Sequence, residues 1–281
     1  METRLILRIK RGKQGEKISM ALIFFDIDGT LWDENMKIPD GTIATLKQVQ
    51  QNGHKIFLCS GRARGNIRDK TLLDVGFDGI LAACGNHVEL DGKIVHENII
   101  SPELTEKVVR ILKECHMPVV LEGPDCHWID EHGFEDDPYV IYLFEEMGKS
   151  AKVLKEYTPD IRINKFSADV LEDTDYDRIK AELGNDFDFL EHEGNVVECV
   201  PKGTSKATGI EWLCSYLGVP REETYAIGDS INDLDMLEYV GHGIAMGNAT
   251  QPPKDVAEFV TTDIHEDGIR NAMLHYHLIS F

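Results

Sequence analysis

The sequence predicts an α/β protein with a parallel-sheet core, formed from both ends of the chain, and an α+β domain inserted between the two halves. Short apolar strands alternate with amphipathic helices in residues 20–101, and this pattern is typical of parallel strands joined by right-handed crossovers. The same alternation returns in residues 200–281. Residues 102–199 instead place extended segments close together with helices between them, which is typical of an antiparallel sheet.

The first half of the core is predicted from apolar runs and the residues that end them. Pro39-Asp40 begins the first helix and Gly53 ends it. Asp91-Gly92 between two alternating segments predicts a two-residue hairpin with a type I′ turn. A second helix is predicted through the sixties and seventies, ending near Gly76. The predicted strands are 22–26, 55–59, 80–83, 88–90 and 93–95.

The inserted segment and the second half of the core follow the same reasoning. Ser101-Pro102 predicts a helix to about Cys115, because serine caps helices and proline is favoured at the first helical position. Asp137-Pro138 begins another helix, which ends near Gly148. The remaining predicted elements are strands 119–121, 126–129, 165–171, 187–190 and 196–200, helix 176–183, helix 205–217, strand 224–227, helix 232–240, strand 243–246 and a last helix from about Gly268.

The most informative segment is Phe24-Phe25-Asp26-Ile27-Asp28-Gly29-Thr30. An apolar strand here brings two aspartates to its C-terminal end, where open α/β sheets place their ligand sites. Two carboxylates so close repel each other unless a bound cation or a proton neutralises part of their charge. We expect a Mg²⁺ site in which Asp26 is the nucleophile and Asp28 transfers protons as acid and base. The alternative is a strand that ends in an acidic turn.

Ser60-Gly61-Arg62 follows the second apolar strand and is a candidate phosphate-binding segment. If the first two strands are neighbours, the Ser60 hydroxyl and the Gly61 N–H lie beside Asp26 and can hold phosphoryl oxygens. The alternative is an ordinary turn between a strand and a helix.

A second acidic segment, Gly228-Asp229-Ser230-Ile231-Asn232-Asp233, follows another apolar strand. Asp229 would complete the oxygen ligands that Mg²⁺ requires beyond Asp26 and one backbone carbonyl. Asp233 lies one turn further along and could position a lysine, although acids are favoured at helix N-termini in any case.

A cation must offset these acids and hold the phosphate. Lys206 is the first choice, because a lysine near a helix N-terminus is locally disfavoured by the helix dipole. Lys202, four residues earlier, remains the alternative.

Together, Asp26-x-Asp28-Gly-Thr, Ser60-Gly-Arg, Lys206 and Gly228-Asp229-x-x-Asn232-Asp233 resemble the four motifs of the haloacid dehalogenase (HAD) superfamily of phosphatases. Their order and spacing resemble the Cof-type group, which carries a type IIB cap domain between the second and third motifs. Residues 243–249 and 266–268 also resemble the C-terminal signature of that group. The resemblance covers nearly everything after Met20.

The resemblance implies a Rossmann-like core, an α+β cap, Mg²⁺ and phosphatase activity. It makes Asp26 the nucleophile and Asp28 the acid and base. It also implies a role for each remaining residue of the motifs: phosphate or substrate binding by Ser60, Gly61, Arg62, Lys206 and Asn232, Mg²⁺ binding by Asp26, the Asp28 carbonyl and Asp229, and support of Lys206 by Asp233.

Cys84-Gly85-Asn86 departs from that group, because many relatives have Asn-Gly-Ala after the third strand. The substrate contact of the family's asparagine therefore does not transfer to Cys84. Either Asn86 replaces it or the substrate preference differs.

Composition restricts the possible partners. The net charge is −21, from 29 basic and 50 acidic residues, and such a surface repels nucleic acids and anionic membranes. Six scattered cysteines without a C-x-x-C pair are typical of reduced thiols, and we expect a cytoplasmic protein. Residues 1–19 are basic without a following apolar region, so they are predicted to be an extension outside the fold rather than a signal peptide.

The leading functional prediction is a Mg²⁺-dependent phosphatase for small phosphorylated metabolites such as sugar phosphates, nucleotides or pyridoxal phosphate. One alternative is a phosphomutase or phosphotransferase of the same superfamily. Another is a non-catalytic signalling module that is phosphorylated on aspartate. Asp28 and the large insertion argue against the module, since a domain that stores phosphate needs no acid and base beside its nucleophile.

Overall fold

The computed structural model of the chain describes residues 20–134 and 137–280. The predicted N-terminal extension, residues 1–19, lies outside the described residues. The strands of the described residues are β1 (Leu22–Phe25), β2 (Lys55–Cys59), β3 (Gly79–Ala82), β4 (His87–Leu90), β5 (Lys93–Glu97), β6 (Val119–Glu122), β7 (His127–Asp130), β8 (Ala151–Leu154), β9 (Lys165–Asp169), β10 (Phe187–Glu191), β11 (Val196–Pro201), β12 (Thr224–Gly228), β13 (His242–Ala245) and β14 (Phe259–Val260). Their α-helices are α1 (Asp40–Gln51), α2 (Lys70–Leu73), α3 (Pro102–Glu114), α4 (Pro138–Met147), α5 (Tyr176–Leu183), α6 (Lys206–Leu217), α7 (Leu234–Tyr239), α8 (Gln251–Val256) and α9 (Gly268–His275).

The core is an eight-stranded sheet in the order β14-β13-β12-β1-β2-β3-β4-β5. The strands from β14 to β3 are parallel, and β4 and β5 are added antiparallel at one edge. Every residue of β1 is buried, as expected for a parallel strand covered on both faces. Ile23 and Phe25 share a hydrophobic cluster with residues of α1 and α9, whereas Leu22 and Phe24 share one with residues of α6 and α7. The sheet is therefore a middle layer between two helical layers.

The insertion forms a second sheet of six strands in the order β10-β11-β9-β6-β7-β8. Phe166 and Ala168 of β9 lie on the face that packs against α3 and α5. Helix α4 packs through Val140, Leu143 and Met147 on the other side of the sheet. We call this unit the cap.

Several local predictions agree with the structure. Asp91 and Gly92 both have positive φ, 49° and 70°, as a type I′ turn requires, and they join β4 to β5. The side chain of Ser101 accepts a hydrogen bond from the Leu104 N–H at the start of α3, and that of Asp137 accepts one from the Val140 N–H at the start of α4.

Other local predictions are wrong. The helix predicted through the sixties and seventies is a 3₁₀ turn, Arg64–Asn66, followed by the four-residue α2. Asp69 interrupts the helical pattern, because its side chain caps α2 by accepting from the Leu72 N–H. The cap sheet is not wholly antiparallel, since β7 and β8 pair in parallel across the α4 crossover. Strands β8 and β14 and helix α8 were not predicted; β14 has only two residues, too few for a pattern.

No helix among the residues that the structure describes is long and apolar enough to cross a membrane.

Candidate active site

Three polar segments meet because their strands are neighbours. Strand β1 lies between β2 and β12, with Phe25 paired to Leu58 on one side and to Ile227 on the other. The three strands are parallel, so the residues that follow them meet at one edge of the sheet. Asp26 is held there by a backbone hydrogen bond from its N–H to the Ile227 carbonyl, 3.0 Å long.

A buried ammonium links the two acidic segments. Lys206 is 1% exposed, and its Nζ lies 2.6 Å from Asp26 Oδ1 and 2.6 Å from Asp233 Oδ1. Burial raises the pKa of Asp26 well above its usual value, and Lys206 opposes that rise. The carboxylates in turn raise the pKa of Lys206 against the effect of burial, which keeps it charged.

Asp233 holds the loop that carries Asp229. Its Oδ2 accepts from the N–H groups of Asp229 and Ser230, at 2.9 and 3.1 Å. With Lys206 on its other oxygen, this buried carboxylate is fully engaged by the protein. Asp233 therefore acts on the site through the groups that it positions.

Asp229 lies between the two loops of the site. Its Oδ1 accepts from the Thr30 hydroxyl at 3.0 Å. Gly29 has φ +78°, and a Cβ at this position would lie 2.3 Å from Asp229 Oδ2, so glycine lets the two loops approach. Burial and then the charge of Asp233 raise the pKa of Asp229 to about 7.

The acids at this edge fit a hard cation. Oxygens of Asp26, Asp229 and Asp233 all lie within 4.8 Å of one another. Because both oxygens of Asp233 are engaged, Asp26 and Asp229 are the side chains with oxygens free for an ion. Clustered carboxylates whose charges are destabilised by burial are the donor set that Mg²⁺ prefers.

Asp28 points away from this cluster. Its side chain is 52% exposed and forms a bidentate ion pair with Arg62, with Nε–Oδ2 2.7 Å and Nη2–Oδ1 2.8 Å. The Arg62 guanidinium also lies 5.1 Å from the Trp32 ring centroid, and its Nη1 donates to the Tyr142 hydroxyl of the cap at 3.4 Å. Arg62 thus links Asp28, the predicted acid and base, to the cap.

A cavity of about 350 Å³ lies between the core edge and the cap. Its core side includes seven residues of the sequence-predicted motifs, namely Asp26, Asp28, Ser60, Gly61, Arg62, Ser230 and Asn232. Asn232 accepts from the Ser230 hydroxyl at 2.7 Å. Lys206, Asp229 and Asp233 lie behind this surface, in contact with it through Asp26 and the Asp229 loop.

A family model described as haloacid dehalogenase-like hydrolase matches residues 23–273. The chain belongs to the haloacid dehalogenase-like hydrolases. The match includes every predicted motif and the whole cap, so the identification as a Cof-type member and the fold class are confirmed.

Relatives of this HAD hydrolase extend over nearly the full chain. YkrA of Bacillus subtilis (strain 168) is 32% identical over 263 residues, covering 90% of this chain and 96% of YkrA. The 5-amino-6-(5-phospho-D-ribitylamino)uracil phosphatase YitU of the same organism is 27% identical over 278 residues, covering 91% and 97%. The solved structure of the HAD subclass IIB sugar phosphatase BT4131 has a TM-score of 0.76 at 23% identity and covers 92% of this chain and all of that chain. At that identity the last similarity shows the fold, including the type of cap.

The two lysine candidates of the HAD hydrolase lie in different surroundings. Lys202 has a side chain 56% exposed and pairs with Asp188 of the cap sheet. Lys206 is buried against the predicted nucleophile. The structure therefore brings Lys206, and not Lys202, to Asp26.

The Cys84-Gly85-Asn86 segment is a tight turn beneath the cap. Ala83, Cys84 and Gly85 all have positive φ, and a Cβ on Gly85 would meet backbone atoms of Ser205 and Gly209 at 2.7 and 2.8 Å. Asn86 is 1% exposed and does not line the cavity. Its amide donates to the Ala83 carbonyl and Thr204, and its oxygen accepts from Asn98. Asn86 is thus engaged in the turn rather than turned toward the cavity.

Two groups of residues around the site had no role assigned from the sequence. Thr30 and Asn248, which were named only as members of motifs, fix the first loop, since Asn248 Nδ2 donates to the Gly29 carbonyl at 2.7 Å. The cap side of the cavity carries Glu122, Lys165 and Glu198, all buried. The alternation of polar and apolar residues from Lys165 to Asp169 was the available signal for the second group.

Proposed function

We propose that this HAD hydrolase is a Mg²⁺-dependent phosphatase that hydrolyses small phosphorylated metabolites through an aspartyl-phosphate on Asp26. Membership of the family and the phosphatase relatives support the activity on phosphorylated substrates. The observation that carries the mechanism is the position of Asp26. Asp26 lines the cavity between the core and the cap. One of its oxygens lies 2.6 Å from the buried Lys206 ammonium, and the Asp229 carboxylate is within 4.8 Å.

In the first step, an Asp26 carboxylate oxygen attacks phosphorus and the bond from phosphorus to the leaving oxygen breaks. Ser60 and the Gly61 N–H hold the phosphoryl oxygens, and the Lys206 ammonium behind Asp26 offsets the charge that develops on them. Asp28, which must first take up a proton from solvent because its carboxylate is ion-paired with Arg62, donates that proton to the leaving oxygen, so that a neutral alcohol departs. The ion pair with Arg62 must loosen for this, and the phosphate itself offers Arg62 an alternative anionic partner.

In the second step, water attacks the phosphorus of the aspartyl-phosphate. Asp28 accepts a proton from that water, and the bond from phosphorus to Asp26 breaks. Inorganic phosphate leaves, Asp26 returns to its carboxylate form, and Asp28 returns its proton to solvent. The side chains of Asp26 and Asp229 and the Asp28 carbonyl would hold Mg²⁺, which when bound neutralises phosphoryl charge and orients the phosphate.

The size of the cavity supports a small substrate. About 350 Å³ lies at the lower end of ligand pockets, enough for a phosphate and a compact leaving group. The relative YitU is named as the phosphatase of a phosphomonoester, 5-amino-6-(5-phospho-D-ribitylamino)uracil. Sugar phosphates, nucleoside monophosphates and pyridoxal phosphate remain within the proposed class.

A phosphomutase or phosphotransferase would use the same first step with an alcohol in place of water. The signalling module is less well supported, because Asp26 is only 4% exposed and lines a cavity whose other wall is the cap.

The test is turnover of p-nitrophenyl phosphate with Mg²⁺, after removal of divalent ions with EDTA, and in the Asp26→Asn variant. We expect turnover only by the wild type with the metal. A wild type that becomes stably phosphorylated without releasing phosphate would instead favour the signalling module. Faster product formation on adding a sugar acceptor, with phosphate appearing on that sugar, would favour transfer.

A further inference from the structure

The cavity has a second end, formed by the cap, to which the proposed mechanism gives no role. Strands β6, β9 and β11 lie side by side there, with Glu122 paired to Lys165 and Glu198 paired to Ser167. Lys165, Ser167 and Asp169 alternate along β9 and all line the cavity. The intervening Phe166 packs in the cap core, and Ala168 belongs both to that core and to the cavity lining. Val120 and Val140 also line the cavity, so this covered face carries charged side chains beside apolar ones.

Three charged side chains are buried on that face. Glu122, Lys165 and Glu198 are 3%, 4% and 5% exposed. Lys165 Nζ lies 2.5 Å from Glu198 Oε1 and 3.2 Å from Glu122 Oε1. Burying a carboxylate in excess over its counter-charge is costly, and replacing buried ion pairs by well-packed apolar side chains is often neutral or stabilising.

Both carboxylates of this group are ionised at neutral pH. Burial works against the charge, but Lys165 outweighs it and holds the pKa of Glu122 near 2 and that of Glu198 well below its usual range. Two carboxylates and one ammonium leave the group with a net charge of −1. Asp137 and Asp169 line the same end of the cavity and add to its acidity.

The donors that contact Glu198 are Lys165, His192 and the Cys84 thiol, which lies 3.5 Å from Glu198 Oε1. The Lys165 ammonium is shared among the two carboxylates and the Gly61 carbonyl, which it reaches at 3.2 Å. His192 already contacts Glu198 Oε2 at 3.2 Å. Glu122 Oε2, in contrast, has His127 Nε2 as its partner among the described residues only at 3.6 Å, longer than a hydrogen bond.

We propose that the cap end of the cavity is a subsite for a leaving group rich in hydrogen-bond donors and free of further anionic groups. The substrate would be the monophosphate of a compact polyhydroxylated or amino-substituted alcohol. Phosphates that carry a carboxylate or a second phosphate are excluded by the charge of Glu122 and Glu198. This inference rests on the proposed function and narrows its substrate class.

Size-matched substrate pairs test the subsite. We compare kcat/KM for glucose 6-phosphate with that for 6-phosphogluconate, the open-chain acid that carries a carboxylate at C1, and with that for glucosamine 6-phosphate, which carries an amine in place of the C2 hydroxyl. We expect the carboxylate to lower kcat/KM at least about tenfold, as a buried charge of the same sign would. Faster turnover of glucosamine 6-phosphate than of glucose 6-phosphate would show that the subsite prefers a leaving group with an amine. The reverse order would show that it prefers hydroxyl groups. Equal turnover of glucose 6-phosphate and 6-phosphogluconate overturns the proposal.

The Glu122→Gln variant tests whether the charge of Glu122 causes the discrimination against 6-phosphogluconate. The amide still accepts from Ser167, whose hydroxyl donates to Glu122 Oε1 at 2.6 Å, and Lys165 keeps Glu198 as its counter-charge. We expect the preference for glucose 6-phosphate over 6-phosphogluconate to fall at least about fivefold. Glu145→Gln removes the same charge from an exposed position on α4 outside the cavity and should leave the preference as in the wild type.

The ratio of two substrates in one preparation does not depend on the amount of active enzyme, so partial misfolding cannot imitate the result. A preference unchanged in Glu122→Gln, or shifted equally in Glu145→Gln, overturns the assignment. Turnover of p-nitrophenyl phosphate with no turnover of any of the three metabolites also overturns it.

Failure of the proposed function is distinguishable from failure of the subsite. If the wild type does not hydrolyse p-nitrophenyl phosphate, the same three metabolites are ranked by the rise in melting temperature that each produces. Greater protection by glucose 6-phosphate than by 6-phosphogluconate supports the subsite, and the opposite order refutes it.

Discussion

Replacing Lys206 by methionine tests the centre of the proposed mechanism. The ammonium lies between Asp26 and Asp233, 2.6 Å from each, with no exposed side-chain surface. Methionine keeps most of the volume and removes the charge, so the three clustered aspartates repel one another without a counter-charge. Lys202, four residues earlier, provides a matched control, because its exposed side chain pairs with Asp188 outside the cavity.

Two magnitudes follow from this geometry. Loss of one preorganised charge on the phosphoryl group lowers kcat about 10²–10³-fold, so kcat/KM for Lys206→Met should fall at least about a hundredfold. Removing one partner of a buried ion pair costs about 3–5 kcal/mol of unfolding free energy. Lys202→Met breaks an exposed pair, for which we expect less than about 1 kcal/mol and less than a threefold change in kcat/KM.

The assay is p-nitrophenyl phosphate turnover with saturating Mg²⁺, with urea unfolding of the same samples. In the Asp26→Asn background the stability cost of Lys206→Met should shrink, since one of the repelling carboxylates is already neutral. A larger loss of activity at Lys202 than at Lys206 would refute the assignment of the cation. Additive stability effects of the two substitutions at Asp26 and Lys206 would refute the electrostatic reasoning.

Three further substitutions extend the test. Asp26→Asn should lower turnover more than a hundredfold with the melting temperature within a few degrees of the wild type; greater residual turnover contradicts the nucleophile assignment. Asp28→Asn should accumulate phosphate on Asp26 with an activated substrate, and mass spectrometry of the acid-quenched protein that finds no phosphorylated peptide argues against the covalent route. Glu122→Gln should lose less stability than the wild type on acidification. The pKa of Glu122 is lowered from 4.5 to about 2, so its stabilisation is complete above about pH 4.5 and declines below it. Between pH 6 and pH 3 we expect the difference in unfolding free energy between the wild type and Glu122→Gln to fall by about 2 kcal/mol, measured by urea unfolding. Parallel pH dependences of the two proteins would contradict the ion pair.

The successful predictions of elements in the core and the cap depended on local patterns that tertiary contacts did not override. The apolar run before Asp26 forms a fully buried strand, and the Asp-Gly hairpin and the two Xaa-Pro helix starts lie where they were expected. These signals are local because a turn's φ angles and a helix cap depend on a few consecutive residues.

Elements without a local signature were missed or misplaced. The helix predicted across the sixties and seventies is interrupted, and Arg68 in the interrupted stretch donates instead to the Gly65 carbonyl and, in the cap, to the Asp125 carbonyl and Ser150. Strand β8 exists because β7 accepts it in parallel after α4, and its own sequence carries no strong alternation. The local Asp69 cap and contacts to the cap domain together decided the first segment, and long-range strand pairing decided the second.

The sequence by itself determined the chemistry of this protein's core, because its motifs place acids, a serine and a lysine directly after apolar strands and at a helix start. It predicted Lys206 over Lys202 from the helix dipole alone, and the fold then brought that residue to Asp26. Only the tertiary structure decided which groups share a cavity: that Arg62 holds Asp28, that Asn86 is engaged in its own turn, and that Glu122, Lys165 and Glu198 face the site from the cap. These residues are separated by tens of positions in the chain. Their proximity follows from the order and register of strands in two sheets, which no local pattern specifies.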